Sequence, residues 1–275
     1  MPSQVDYKKL ARENIVRPAN VKRMPRILVY SRNKKGKTTF CLSVGVDNIL
    51  ILDPERGSDE FKQTNPHVWH IRDMQDMDNA YEFLRHVNEC QTCDTPHPFS
   101  WVGVDGLTKI SNIALKRVMR LEEEKSLTRI PGMVQQRDYG KGGELMKDML
   151  SKFHNLKQGI IFTAQERMIG AADSEEDDDL DEATEYQFVP DLANSVRGAS
   201  NAIVDVIGRI YVVRTEDDPP KAERRLWVGP SVRYDTGYRS DFVLPDMIQN
   251  PTVPKLVRLM RTGSATPTKA KKKGS

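Results

Sequence analysis

Four positions along the chain carry residue types suited to phosphate chemistry, and each follows an apolar run. The first lies in Arg26 to Phe40, RILVYSRNKKGKTTF, where Ile27 to Tyr30 gives way to a polar loop ending in Gly36-Lys37-Thr38-Thr39. A loop of this kind between a strand and a helix surrounds a polyphosphate with backbone N–H groups and the helix N-terminus. Its lysine adds a point charge on the β/γ-phosphates and its hydroxyl holds Mg²⁺, here Lys37 and Thr38. The pattern GxxxxGK[ST] has glycine where this chain has Ser31, so the loop is expected to close without the most permissive residue. Lys34 and Lys35 would then add charge near the phosphates, and Gly36 to Thr39 would line them.

The second position is Glu55, in the turn Asp53-Pro54-Glu55-Arg56-Gly57 after the apolar run Ile49 to Leu52. A carboxylate at the carboxyl end of a parallel strand stands where open α/β sheets bind ligands, and it suits a base that activates the water attacking a γ-phosphate. A turn carboxylate has the same composition. The third is Asp105, ending Phe99 to Val104, expected on a strand beside the phosphate-loop strand and placed to orient Mg²⁺. The fourth is Gln165, after the strand Gly159 to Ala164, where an amide can hydrogen-bond the γ-phosphate or the attacking water.

These residues need an alternation of buried strands and amphipathic helices to position them. Helical patterns at Met74 to Val87, Ile110 to Leu121 and Leu145 to Leu156 separate the strands, which predicts an α/β fold with a mostly parallel sheet flanked by helices. The 275 residues suit one large domain, divided as an N-terminal arm over 1–25, a core over 26–261 and a disordered basic tail over 262–275. Within the core, Asp173 to Glu185 is an acidic low-complexity insert, whose charge would repel nucleic acid.

Net charge is only +3, so any affinity for nucleic acid must come from local patches. Glu122 to Gly143, with Pro131 and four glycines, reads as a mobile loop in which Arg129, Arg137, Tyr139 and Lys141 could contact a single strand. A solvated connection would look much the same. Arg197 follows the acidic insert as a further nucleic-acid candidate. The late turn Arg233 to Arg239 offers Arg239 as an arginine acting in cis or on a neighbour's nucleotide. His86, Cys90, Cys93 and His97 have zinc-ligand types, but a single CxxC between close histidines also fits a plain surface loop. No apolar run approaches the roughly 20 residues of a membrane span, and three cysteines without framework spacing agree with a reducing, cytoplasmic setting.

Taken together, GKTT, DPERG, WVGVDGLT, GIIFTAQER and a basic turn before LPDMI make the chain resemble the phage RecA-like nucleotide-binding proteins that act in single-strand annealing. The likeness runs from about Arg26 to about Arg261. It implies a RecA-type P-loop core that binds ATP through Lys37 and Thr38 and Mg²⁺ through Thr38 and Asp105. It also implies Glu55 as the water-activating carboxylate and Gln165 as a sensor. Expected partners are single-stranded DNA, further copies of the chain in a ring or filament, and a phage single-strand binding protein, in the cytoplasm of an infected bacterium. Two other functions share the same motifs: a P-loop kinase of a small substrate, and a nucleotide-gated scaffold for a replication partner.

Overall fold

The computed structural model describes residues 6–15, 17, 23–89, 99–126, 128–170 and 186–264. The acidic insert, Cys90, Cys93, His97 and nearly all of the basic tail lie outside them. His86 is described and is exposed near the end of a helix.

Six parallel strands form the centre of one sheet, in the order β3 (His67–His70), β2 (Ile49–Asp53), β4 (Trp101–Asp105), β5 (Gly159–Gly170), β1 (Arg26–Ser31) and β7 (Val206–Arg214). An antiparallel margin continues from β7 through β8 (Ala222–Trp227) to β10 (Met247–Gln249). Two further strands leave this path: β6 (Tyr186–Pro190) pairs antiparallel with the far end of β5, and β9 (Gly237–Tyr238) pairs with the start of β7. The expected mostly parallel α/β sheet is therefore the observed one.

The central strands are apolar on both faces because both faces are covered. Leu28, Tyr30, Leu52, Val104 and Phe162 pack on one side beneath α3 (Met74–Glu89), α4 (Leu107–Lys125), α5 (Gln136–His154) and α6 (Asn194–Ile203). Ile27, Val29, Ile51 and Ile161 pack on the other against Phe40 and Cys41 of α2 (Lys37–Leu42) and Leu256 and Leu259 of α7 (Val253–Thr262). The remaining helix, α1 (Tyr7–Asn14), falls in the N-terminal arm.

Two sequence expectations change here. The Asp105 strand is not beside the phosphate-loop strand: β5 lies between β4 and β1. The stretch expected to be a mobile strand-binding loop is largely helix. α5 starts at Gln136, stabilised by a capping box between Gln135 and Asp138, and carries Arg137, Tyr139 and Lys141. Its glycines do not break it. A side chain at Gly142 would stand 3.4 Å from the Leu115 backbone, an ordinary contact distance, where α5 packs on α4.

Candidate functional site

The carboxyl ends of β1, β2, β4 and β5 converge on a cavity of about 490 Å³. It brings together Lys34, Gly36, Lys37, Thr38, Thr39, Glu55, Asp105 and Gln165 from four separate stretches of the sequence. Such a place, outside the carboxyl ends of parallel strands, is where open α/β sheets hold ligands.

The loop closes differently from the sequence expectation. Left-handed backbone falls at Lys34 (φ 61°) and Gly36 (φ 102°), while Ser31 is a fully buried strand residue that needs no glycine. Ser31 is instead a partner of the lysine: the Lys37 ammonium donates to the Ser31 carbonyl at 3.1 Å and lies 3.4 Å from Ser31 Oγ. Burial pulls the Lys37 pKa down, opposed by the carboxylates of Asp105, Glu55 and Glu166. Gly36 then leads directly into α2, whose first residues, Lys37, Thr38 and Thr39, line the cavity. Ser31 and Lys35 do not line the cavity.

Asp105 is held by two hydroxyls. Thr38 Oγ1 donates to Oδ2 and Thr163 Oγ1 donates to Oδ1, each at 2.6 Å. Desolvation raises the Asp105 pKa, and the two hydroxyl bonds only partly oppose it. A buried carboxylate beside a threonine hydroxyl is the hard-oxygen setting in which Mg²⁺ takes one or two protein ligands and completes its shell with water and phosphate oxygens. Thr38 and Asp105 therefore fit the ion. Among the described residues no group of three or more His, Cys, Asp or Glu side chains is arranged to hold a metal by itself.

Glu55 and Gln165 meet across the cavity, with Gln165 Nε2 donating to Glu55 Oε1 at 3.4 Å. The Glu55 turn is shaped by Asp53, which is buried and accepts from the backbone N–H of Glu55 (2.8 Å) and of Ser58 (2.7 Å). Gln165 is fixed by its backbone: its N–H donates to Thr108 Oγ1 at 3.1 Å, and its carbonyl accepts from Asp191 at 2.8 Å.

One residue that the sequence reading did not single out joins this set. Arg224, on β8 opposite Val212, lays its guanidinium across Gly36, and a Cβ built on Gly36 would fall 2.5 Å from Arg224 Nε. Arg224 also lines a second cavity of about 220 Å³ on the β8 side of the loop, together with Gly36, Thr39 and Asn250. The two cavities share Gly36, Thr39 and Arg224 in their linings. The doublet Arg224-Arg225 was visible in the sequence, but nothing local to it indicated a neighbour as remote as Gly36.

Other candidates lie elsewhere. Arg239 donates from its backbone to the Asp205 carbonyl (2.8 Å) and from its side chain to the Ala202 carbonyl (3.0 Å). Asp205 in turn bonds Arg26 at the start of β1, so Arg239 sits at the edge opposite the phosphate loop and does not act on its own site. Arg129 is not available to nucleic acid: it is buried and ion-paired to the buried Asp138, with the longer of their two hydrogen bonds at 3.1 Å. Arg197 is likewise buried, 3.9 Å from Asp235. Arg137 and Lys141 are exposed but face Glu122, at 4.0 and 2.9 Å. Tyr139 is 61% exposed.

A strand, a phosphate loop and a helix, with an aspartate on the next strand but one bonded to the loop threonine, define a P-loop nucleoside triphosphatase core. The family model for the AAA domain matches residues 23–240, and the chain belongs to that family. No curated protein matches the chain. Among solved structures, a KaiC-like protein, PH0186, from Pyrococcus horikoshii OT3 is similar at 10% identity, over 74% of this chain and 77% of its own, with a TM-score of 0.39. The flagellar accessory protein FlaH from Methanocaldococcus jannaschii is similar at 11% identity, over 82% of this chain and 85% of its own, with a TM-score of 0.34.

Proposed function

We propose that this protein is a Mg²⁺-dependent ATPase that binds single-stranded DNA and promotes annealing or recombination in phage DNA metabolism. The observation that carries the ATPase reading is the convergence of Lys37, Thr38, Asp105, Glu55 and Gln165 on one cavity. In this reading the loop N–H groups and Lys37 hold the β- and γ-phosphates, and Thr38 and Asp105 hold the metal, which neutralises charge on the phosphate oxygens. Glu55 accepts a proton from the attacking water, and Gln165, 3.4 Å from Glu55, orients that water. Arg224 closes the loop from the β8 side and joins the phosphate site to the cavity that takes the ribose and base.

The DNA-related part rests on the order of the sequence motifs and their resemblance to annealing proteins. It includes self-assembly into a ring or filament, with Arg239 available only to a neighbouring copy, and cooperation with a phage single-strand binding protein in the cytoplasm. The test is the steady-state ATPase rate against single-stranded DNA concentration, for wild type and Lys37→Ala. A rate that rises with DNA and is lost in the variant supports the proposal. The same rate with and without DNA, together with no oligonucleotide binding at low salt, removes the DNA part and leaves a small-substrate kinase to be tested by phosphate transfer.

A further inference from the structure

A third cavity, of about 400 Å³, opens between α4, α5 and the start of α6, outside the nucleotide site. Its mouth carries the exposed ring of Tyr139 and the guanidinium of Arg167. Its wall is formed by Ser111, whose hydroxyl is turned away from solvent, and by Asn112 and Asp191. Gly142 and Gly143 line it without side chains, which keeps one side of the space open.

We infer that this cavity receives one unstacked base of a single-stranded nucleic acid, with the base lying against Tyr139 and its polar edge reaching Asn112 and Asp191. The inference rests on the proposed DNA-binding function and gives it a site. An aromatic ring at the mouth of a polar-walled space suits a base, since every base has a face to stack and an edge of donors and acceptors. A small anion fits less well: Arg167 is the one cation in the lining, and it lies 3.9 Å from the Asp191 carboxylate, which would repel a second negative charge. With the base inside, Arg167 and Asp191 remain a compensated pair at the rim.

The location links occupancy to the nucleotide. Thr108 lines the cavity, donates to the Asp191 carbonyl at 3.0 Å and accepts from the Gln165 N–H at 3.1 Å. Gln165 in turn contacts Glu55. A base pressed between α4 and the Asp191 segment therefore acts on the backbone that sets the Gln165 amide. The surface of α5 that bears Arg137 and Lys141 has no such connection, because both side chains are directed to Glu122.

The experiment is anisotropy of a fluorescein-labelled oligothymidylate at low salt, with full-length wild type, Tyr139→Ala, Tyr139→Phe and Ser111→Leu. Tyr139→Ala is expected to weaken binding about tenfold, the size of losing one stacked base, while Tyr139→Phe retains it. Ser111→Leu removes no hydrogen bond, fills the cavity and is expected to weaken binding to a similar extent. Titration with a fluorescent ADP reports whether each variant keeps an intact nucleotide site. Wild type that binds DNA while all three variants bind equally well would overturn the cavity as the DNA site. Unchanged DNA binding with an altered oligomeric state by light scattering would overturn it in favour of a contact between copies. Wild type that fails to bind the oligonucleotide at all would end both this inference and the DNA reading, an outcome visible before any variant is made.

Discussion

Arg224 provides the sharpest test of the nucleotide site, because it was located by structure alone and reaches the phosphate loop from a remote strand. Its guanidinium lies over Gly36, the residue that opens α2, at the seam between the two cavities. Removing the side chain would take one charged donor from a bound nucleotide. A hydrogen bond to a charged group contributes about 1.5–3 kcal/mol. Arg224 is exposed, so solvent screening favours the lower end, roughly a tenfold loss of affinity. Arg224→Ala should therefore raise the Kd for a fluorescent ATP analogue about tenfold, and Arg224→Lys should recover only part, because a point charge lacks the planar fork. The measurement is a fluorescence titration at two salt concentrations, with thermal melting to confirm folding. Equal affinities for wild type and Arg224→Ala at both salts would refute the assignment and leave the arginine as a surface residue that happens to rest on the loop.

Other predictions test the remaining parts of the site and its support. Ser31→Gly should leave nucleotide affinity unchanged, because the closer Lys37 contact, at 3.1 Å, is to the Ser31 carbonyl, and should lower stability by about 0.5–1 kcal/mol or somewhat more, through unfolded-state freedom and the lost hydroxyl bond to the Arg32 carbonyl; isothermal titration and denaturant unfolding check both halves. Asp105→Asn should abolish Mg²⁺-dependent nucleotide binding and yet raise the melting temperature at neutral pH. Burial raises the folded-state pKa of this carboxyl, so the protonated form favours folding at low pH and that advantage fades as pH rises through the raised value; the gain from Asn should therefore shrink in acid. The Arg129 guanidinium holds the Asp138 carboxyl below its ordinary value, so the opposite sign applies. Its contribution is present above the ordinary carboxylate pKa and is lost as pH falls through the lowered one. Asp138→Asn should melt earlier than wild type at neutral pH, and the gap should narrow in acid.

What the sequence made legible follows from where the strands are buried. β1, β2, β4 and β5 are covered on both faces, so each reads as a continuous apolar run, and the polar residue ending each run marks the carboxyl edge of the sheet. Glu55, Asp105 and Gln165 were visible for that reason. The same signal does not report strand order, and the placement of β5 between β4 and β1 emerged only from pairing. Helix α5 was obscured because its glycines look like breaks, whereas the capping box at Gln135 and Asp138 and the buried face of Met146, Met149, Leu150 and Phe153 hold the helix through them. Arg129 looked like a solvated loop cation because its partner, Asp138, lies on the helix that the glycines concealed. Arg224 was hidden by distance along the chain: only the antiparallel return of β8 along β7 carries it to the phosphate loop.

That contact has a consequence for the order in which the protein is completed. The phosphate loop is made early in synthesis, and the arginine that lies across it is made late, on a strand paired with β10 and followed by α7. The N–H of Val253, at the start of α7, donates to Ser43 Oγ just beyond α2 at 2.8 Å, a second tie between the two ends of the domain. A nascent chain that has folded β1 through β5 thus owns Lys37, Thr38 and Asp105 but not the arginine that lies across Gly36. If Arg224→Ala weakens nucleotide binding as expected, full affinity should appear only when the C-terminal margin of the sheet has docked, which would make the ligand a reporter of finished folding.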